Sequence, residues 1–301
     1  MFEDFSHSQF IKYSEAKAYF QKNLEYITSL EEYIQNQIKN FLLINKEEII
    51  NDYNEASYLY PFWKNYPPEE RGRQPIGDQY PWIEVGEQVL GPKLSRYFAS
   101  RFIVRDCGLP AGPDNRYVIQ SPSIHDLTEY TDSCWIFIDI KSVGPRDDAD
   151  HAVMSHNQIS GSGNWENKST GITNNEFLAI GSRASHSFNC AIPPIYVLSS
   201  GKILPVVNLI IKPVYKMLNL ETPISSIRRG QPLVRIDVAM IPNGILLDGK
   251  DGYISKYPGL FFPGKDDKKK DPKKLRARIS FSKLREIAPW RHISIDFKNQ
   301  S

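Results

Sequence analysis

The run Trp135-Ile136-Phe137-Ile138-Asp139-Ile140-Lys141 sets a carboxylate and an ammonium at the end of an otherwise apolar stretch. Consecutive apolar and aromatic residues of this kind predict a central strand covered on both faces. Positions i and i+2 of a strand share a face, so Asp139 and Lys141 project into one space. Charges in such a place are costly unless they pair or hold a metal. The residues leave two readings open: a buried structural ion pair, or two members of a functional site.

The rest of the chain supplies layers to cover that strand. Phe20, Leu24, Ile27, Leu30, Ile34, Ile38 and Phe41 recur at spacings of three and four, which predicts helix through the first ~60 residues, ended by Tyr66-Pro67-Pro68. A second helix is expected from Pro81 to Arg101, with Ile83, Leu90, Leu94, Tyr97 and Phe98 on one stripe. Strand-like runs follow at Tyr117 to Ile119, Trp135 to Val143, Ile195 to Leu198, Ile203 to Ile211 and Leu233 to Ile241. Ser199-Ser200-Gly201-Lys202 reads as a hairpin turn. Helices first and strands after favour a mixed α/β or α+β domain over a regular βαβ repeat. The segment Gly144 to Asn175 is long, polar and glycine-punctuated, and a loop of that length inside a compact domain is more often functional or disordered than idle.

Several classes fall away. Hydrophobic residues make up 41% and charged residues 24% of the 301, which argues against disorder and coiled coil. No apolar stretch approaches the ~18 residues of a membrane span. Met1-Phe2-Glu3-Asp4-Phe5 lacks the marks of a secretory signal, so the expected place is the cytoplasm, away from membranes. Cys107, Cys134 and Cys190 form no CxxC pair and read as core thiols. There is no GxxxxGK[ST] phosphate loop, and His151, His156 and His186 lack zinc-site spacing. The charge is unevenly spread. From Lys265 to Arg285 ten Lys/Arg face three Asp, leaving 27 basic against 32 acidic residues elsewhere. A basic island on an acidic body suits a surface that meets a polyanion, although a solvated lysine loop has the same composition.

A second acid sharpens the reading of the strand. Gly112-Pro113-Asp114 precedes Tyr117-Val118-Ile119, and 24 residues separate Asp114 from Asp139. This is the Pro-Asp…Asp-x-Lys order of the PD-(D/E)xK nucleases. Two carboxylates supply hard oxygen ligands for Mg²⁺, and a nearby lysine can hold a water or a phosphate oxygen. The motif is loose: Asp/Glu-x-Lys occurs eight times, but only Asp139 and Asp296 end strand-like runs. In Ile293-Ser294-Ile295-Asp296-Phe297-Lys298 the alternation puts Asp296 and Lys298 on the solvated face. Glu87 falls inside the apolar stripe of its helix and wants a cation, either at the site or on a structural Arg.

Longer stretches carry a more specific resemblance. Asp52-Tyr53-Asn54-Glu55-Ala56, Pro61-Phe62-Trp63, Pro81-Trp82-Ile83-Glu84-Val85-Gly86-Glu87, Gly108 to Asp114, Asp139 to Asp147 and Pro263-Gly264-Lys265-Asp266-Asp267 resemble a type II restriction endonuclease of the PD-(D/E)xK superfamily. The likeness runs from about residue 50 to the C-terminus. It implies an α/β restriction-endonuclease-like core with a mixed central β-sheet flanked by helices and an N-terminal helical region. One domain over 1–301 is expected, with a helical region at 1–70, a catalytic core at 80–245, and a DNA-recognition segment with the C-terminal strand at 260–301. The implied activity is Mg²⁺-dependent cleavage of double-stranded DNA by a homodimer, at an interrupted palindrome with GCC-type half-sites, alongside a cognate DNA methyltransferase. The implied roles are metal binding by Asp114, Asp139 and Ile140, catalysis by these acids with Lys141 and Glu87, and base reading by Lys265, Asp267, Arg276 and Arg278. Arg276 and Arg278 alternate in Leu275 to Ile279, so both can enter a major groove, where Arg suits guanine. Lys268 to Lys274 departs from the relative, and its lysines suit phosphates. The competing reading is a DNA-binding or repair factor with a decayed nuclease core.

Overall fold

The helical stripe of the N-terminal region folds as three helices: α1 (Phe2–Lys22), α2 (Leu24–Ile44) and α3 (Lys46–Tyr58). The structure, a computed structural model, describes residues 2–58, 80–106, 115–166, 171–173, 175–180, 185–216, 218–220, 228–230, 232–263 and 276–297. The Tyr66-Pro67-Pro68 stop and Cys107 lie outside the described residues. Of the predicted stripe, Phe20, Ile27, Leu30, Ile34, Ile38 and Phe41 are buried. Leu24 is exposed because the helix breaks at Asn23, and Leu24 opens α2 with a new phase.

Helix α4 (Tyr80–Ala99) matches the second predicted helix and leads to β1 (Ile103–Asp106) and β2 (Asn115–Gln120). Next come α5 (Pro122–Thr128), capped by the Ser121 hydroxyl, and β3 (Ser133–Ile140), in which every residue is buried. The chain continues through β4 (His151–Met154), β5 (Glu176–Ile180), β6 (Ser185–Asn189), β7 (Ile195–Val197), β8 (Ile203–Tyr215), β9 (Leu218–Leu220), β10 (Arg228–Gly230) and β11 (Leu233–Ile241). Two short helical turns, Gly244–Leu247 and Tyr253–Lys256, precede β12 (Phe261–Pro263), β13 (Ala277–Ser280), α6 (Phe281–Ile287) and β14 (His292–Asp296).

The central sheet runs β1-β2-β3-β8-β11-β14, with β7 also paired to β8. Among the described strands of this sheet only β3 and β8 are parallel, so the sheet is mixed. The expected turn joins β7 to β8, with Gly201 at φ 78°, a left-handed conformation that glycine adopts without strain. One face packs under α2, α3 and α4 through Leu30, Ile34, Ile38, Tyr53, Leu94 and Phe98. The other packs against a three-stranded sheet, β12-β13-β4, the β5–β6 hairpin and α6. Both faces of β3 and β8 are thereby covered, as continuous apolar runs require.

Two boundaries differ from the sequence reading. Strand β8 continues past Ile211 to Tyr215, fully buried, through Lys212 and Pro213. Lys212 stays in the strand because Asp237 sits opposite it on β11 and two carbonyls accept its ammonium, as described below. Conversely β3 ends at Ile140, although the chain stays beside β8: Lys141 N–H donates to Ile211 O and Val143 N–H to Pro213 O, each at 2.9 Å. The segment read as one loop, Gly144 to Asn175, holds strand β4 and two short helical turns, because Ala152 and Met154 bury one face on the second core.

A buried ion pair ties the layers together. Arg291, just before β14, donates to Glu31 Oε2 of α2 at 2.7 Å, and both side chains are fully buried. Glu31 Oε1 accepts the Asn243 backbone N–H at 2.7 Å, while the Asn243 amide donates to Pro194 O and Val206 O. Removing one member of a buried pair strands the other charge. Arg291→Met is expected to lower stability by about 3–5 kcal/mol in denaturant titration, whereas adding Glu31→Leu should restore part of that loss. A double variant as weak as the sum of the singles would show the pair to be uncoupled.

Candidate active site

Asp139 is the penultimate residue of β3 and is only 2% exposed. Its face is the one opposite α2, since Ile136, Ile138 and Ile140 pack in the first core. Lys141, two residues on, returns its ammonium to Asp139 Oδ2 at 2.6 Å. The ion pair and the site-like placement are therefore one arrangement: the lysine compensates the buried carboxylate and remains about a quarter exposed. The other oxygen, Oδ1, accepts a hydrogen bond from the side-chain amide of Gln158.

Gln158 was not among the residues singled out from the sequence. It lies in the second helical turn of the segment after β4, where its Oε1 accepts the Ser155 backbone N–H at 2.8 Å in a capping box. Asn208 of β8 donates to its carbonyl at 3.3 Å. The Ser155-His156-Asn157-Gln158 spacing of a Ser/Gln capping box was the available signal.

Glu87 is partly buried on α4. The neighbouring Gly86 packs so closely that an added Cβ would overlap Ser142 Oγ and come within 3.0 Å of Tyr53 Oη. A side chain there would push α4 away from the end of β3, so the glycine permits the approach that brings Glu87 to this end of the sheet. Asp114 lies outside the described residues; its chain neighbour Asn115 pairs with Ile138, the residue before Asp139. Lys265 and Asp267 also lie outside the described residues. Arg276 is exposed immediately before β13, and Arg278 is half-buried within it, two positions on and on the same face, while Ala277 and Ile279 turn into the second core. Asp296 is exposed on β14, as the alternation predicted.

The chain between the acid and the Arg276/Arg278 strand is tethered residue by residue. Lys212 Nζ donates to Ala149 O at 2.6 Å and His151 O at 3.2 Å. Burial holds the Lys212 ammonium below the usual lysine range, with Asp237 and Asp148 pulling the other way. Arg235 of β11 forks onto both oxygens of Asp148 and donates Nε–H to Asp237 at 3.2 Å. The Asp148 carboxyl is thereby held below its ordinary range. Arg285 of α6 grips Asp150 at 2.9 and 3.1 Å and meets His292 Nδ1 at 2.8 Å. Residues 148–151 are thus pinned one after another, and β4 then pairs with β13, Arg278 opposite Val153.

The oxygen donors at the β3 end suit a hard divalent cation. Among the described residues no group of three or more His, Cys, Asp or Glu could hold a metal. Magnesium is usually held by only one or two carboxylates together with waters and substrate phosphate, so the buried Asp139 carboxylate fits such an ion as part of a set that substrate completes. No helix among the described residues is long and apolar enough to cross a membrane.

The family described as "Restriction endonuclease BglI" matches residues 8–295. Type II restriction enzyme BglI of Bacillus subtilis is 46% identical over 292 residues, 95% of this chain and 96% of that protein. The crystal structure of restriction endonuclease BglI bound to its DNA recognition sequence matches with a TM-score of 0.88 at 44% identity, over 99% of this chain and 100% of that one. Tetrameric restriction endonuclease SfiI bound to cognate DNA matches with a TM-score of 0.56 at 17% identity, over 91% and 85% of the two chains, a likeness of fold alone.

The tethers make a pH prediction. His292 stacks on Phe281 with ring centroids 4.5 Å apart, and burial pulls its pKa from 6.5 down to about 4. The unfolded chain takes up this proton below its ordinary value while the folded protein refuses it, so stability falls as pH drops through that window. Denaturant titrations from pH 7 to pH 4 should show this loss. His292→Gln should flatten the slope, and an unchanged slope would remove His292 as its source.

Proposed function

The chain belongs to the BglI restriction endonuclease family and is a type II restriction endonuclease, a hydrolase that cuts DNA at a specific site; from that premise we propose that Asp114, Asp139 and Lys141 carry out the cleavage with Mg²⁺. The observation that supports this most is the ammonium of Lys141 held 2.6 Å from a buried carboxylate at the end of the central strand. Family membership leaves no ground for a decayed core, since the acid pair and lysine are all present in the sequence.

Asp114, Asp139 and the Ile140 carbonyl would hold the metal, with Glu87 as a further carboxylate of the site. The bound cation supplies Lewis acidity that offsets phosphate charge and makes water a better nucleophile. Lys141 has three N–H donors, of which Asp139 engages one, leaving donors for a water or a non-bridging phosphate oxygen. Its side chain is exposed enough to reach solvent or substrate. Burial of Asp139 excludes bulk water, which strengthens each of these electrostatic contacts.

Base reading is assigned to Lys265, Asp267, Arg276 and Arg278, at GCC-type half-sites of an interrupted palindrome. The shared face of Arg276 and Arg278 supports this, because two arginines on alternate strand positions can address successive guanines. Lys268 to Lys270 are assigned to phosphates. Two-fold DNA symmetry is most simply met by a homodimer. A cytoplasmic enzyme that cuts DNA needs a cognate methyltransferase to mark the host's own sites.

Two experiments test these assignments. Plasmid DNA with Mg²⁺ should give discrete fragments, none should form in EDTA, and Asp139→Ala or Asp114→Ala should abolish cutting while duplex binding persists. Full cutting by either variant would remove that acid from the site. For the arginines, competition binding against cognate and scrambled duplexes at several salt concentrations should show Arg276→Ala or Arg278→Ala lowering the specificity ratio by about tenfold or more, since a bidentate Arg–guanine pair supplies roughly 1–3 kcal/mol. Lysine variants at 268–270 should instead weaken all sequences alike and reduce the salt slope by about one per contact.

A further inference from the structure

Gln158 reaches Asp139 from outside its strand, donating its side-chain amide to Oδ1, and its orientation is fixed by chemistry. The Ser155 N–H needs an acceptor and an ionised carboxylate is acceptor only, so the amide oxygen must face Ser155 and the amide nitrogen must face Asp139. Asn208 fixes the Gln158 backbone from below by donating to its carbonyl. All three contacts hold the amide in a single pose. A neutral donor is also the right type here: it fixes one carboxylate oxygen without cancelling the charge that a cation requires, as a second lysine would.

The other end of the connection is the Arg276/Arg278 strand. β13 pairs with β4 along its whole length, Ala277 opposite Met154 and Arg278 opposite Val153. Ser155, the cap whose N–H holds Gln158, follows Met154 directly. Strand pairing, the Val153–Ser155 backbone and the two hydrogen bonds of the Gln158 amide therefore connect Arg278 to Asp139 Oδ1. Upstream, the tethers at residues 148–151 leave β4 little freedom to shift alone.

We propose that Gln158 is a positioning residue that sets the Asp139 carboxylate and makes its alignment depend on the seating of the Arg276/Arg278 strand. A shift of the strand on a wrong base pair would move Ser155 and turn the amide away, misplacing the carboxylate although DNA is still bound. This rests on the assignment of Asp139 to the metal site and goes beyond it by naming what holds that acid and what the hold responds to.

The test compares Gln158→Met, which removes the amide, with Gln158→Glu, which keeps an oxygen acceptor for Ser155 N–H but loses the donor to Asp139. Both are checked for native thermal unfolding and for metal-free affinity for a cognate duplex. Single-turnover cleavage with Mg²⁺ is then measured on the cognate duplex and on one with a single changed base pair. The gain in cognate affinity on adding Ca²⁺ is measured without turnover. Misplacing a reacting group by about 1 Å can cost roughly a hundredfold in rate. The expected result is therefore at least a tenfold loss of cognate cleavage in both variants, a smaller loss on the altered duplex, and a reduced Ca²⁺ gain at unchanged metal-free affinity.

A wild-type Gln158→Glu beside a defective Gln158→Met would reduce the residue to a helix cap and overturn the proposal. Wild-type behaviour of both would do the same. Equal losses on the two duplexes would overturn the dependence on the base-reading strand. If the unaltered enzyme were silent with Mg²⁺, or Asp139→Ala stayed active, the site assignment itself would fall, an outcome distinct from any of these.

Discussion

A carboxylate that is almost wholly buried on a central strand must be compensated from several directions, and much of the molecule follows from that need. Asp139 cannot remain charged among Ile138, Ile140 and Ile210 without partners. Lys141 supplies the charge from the same strand, and Gln158 supplies a dipole from across the face. Gln158 can do so only if its turn is fixed, the turn only if β4 is fixed, and β4 only if the chain leading to it cannot drift. Lys212, Arg235 and Arg285 provide that restraint. Each is a cation on the main sheet or the helix behind it, reaching into the segment that follows the acid.

The sequence displayed the centre of this arrangement and concealed its supports. Trp135 to Lys141 announced both the buried strand and the charged pair, because a continuous apolar run and an i, i+2 spacing are local facts. The stripe from Ile27 to Phe41 was legible for the same reason. Lys212 and Asp237 were not, because their meaning is a register between strands whose sequence separation is 25 residues; alone, Lys212 reads as the end of an apolar run and Asp237 as a break within one. Gln158 was hidden more deeply: a polar residue in a polar, glycine-punctuated segment, whose role appears only when β4 pairs with β13. The Pro-Asp…Asp-x-Lys order pointed to Asp114, whereas only the family resemblance suggested roles for Lys265 and Asp267, and all three stand outside the described residues.

Conservation of architecture without sequence fits the same division. At 17% identity the SfiI structure still follows this chain with a TM-score of 0.56, so the layered sheet does not depend on particular side chains. At 44–46% identity and a TM-score of 0.88, the BglI comparisons share far more than layers. A sheet covered on both faces tolerates exchange of one apolar residue for another when volume is kept. Buried charges do not exchange in this way, since losing one partner strands the other. Lys212, Asp237, Glu31 and Arg291 are buried at no more than 3% exposure, and these are the positions where the fold should be least forgiving.

Charge placement also explains why binding and cutting need separate surfaces. Two carboxylates close to a scissile phosphate repel it, and at short range in a poorly solvated site that repulsion is strong. Attraction must come from elsewhere, and the sequence concentrates it: ten basic residues against three acidic ones between Lys265 and Arg285, on a body that is otherwise net acidic. On the proposed assignment the basic segment holds DNA without help from the acids, so an acid removed by mutation would leave binding intact or even strengthen it. A cation at the acids reverses the sign of that local repulsion only when phosphate is already present to complete its shell. On this reading, DNA affinity in the absence of metal reports on the β13 segment, and the increment that metal adds reports on Asp139 and the residues that hold it.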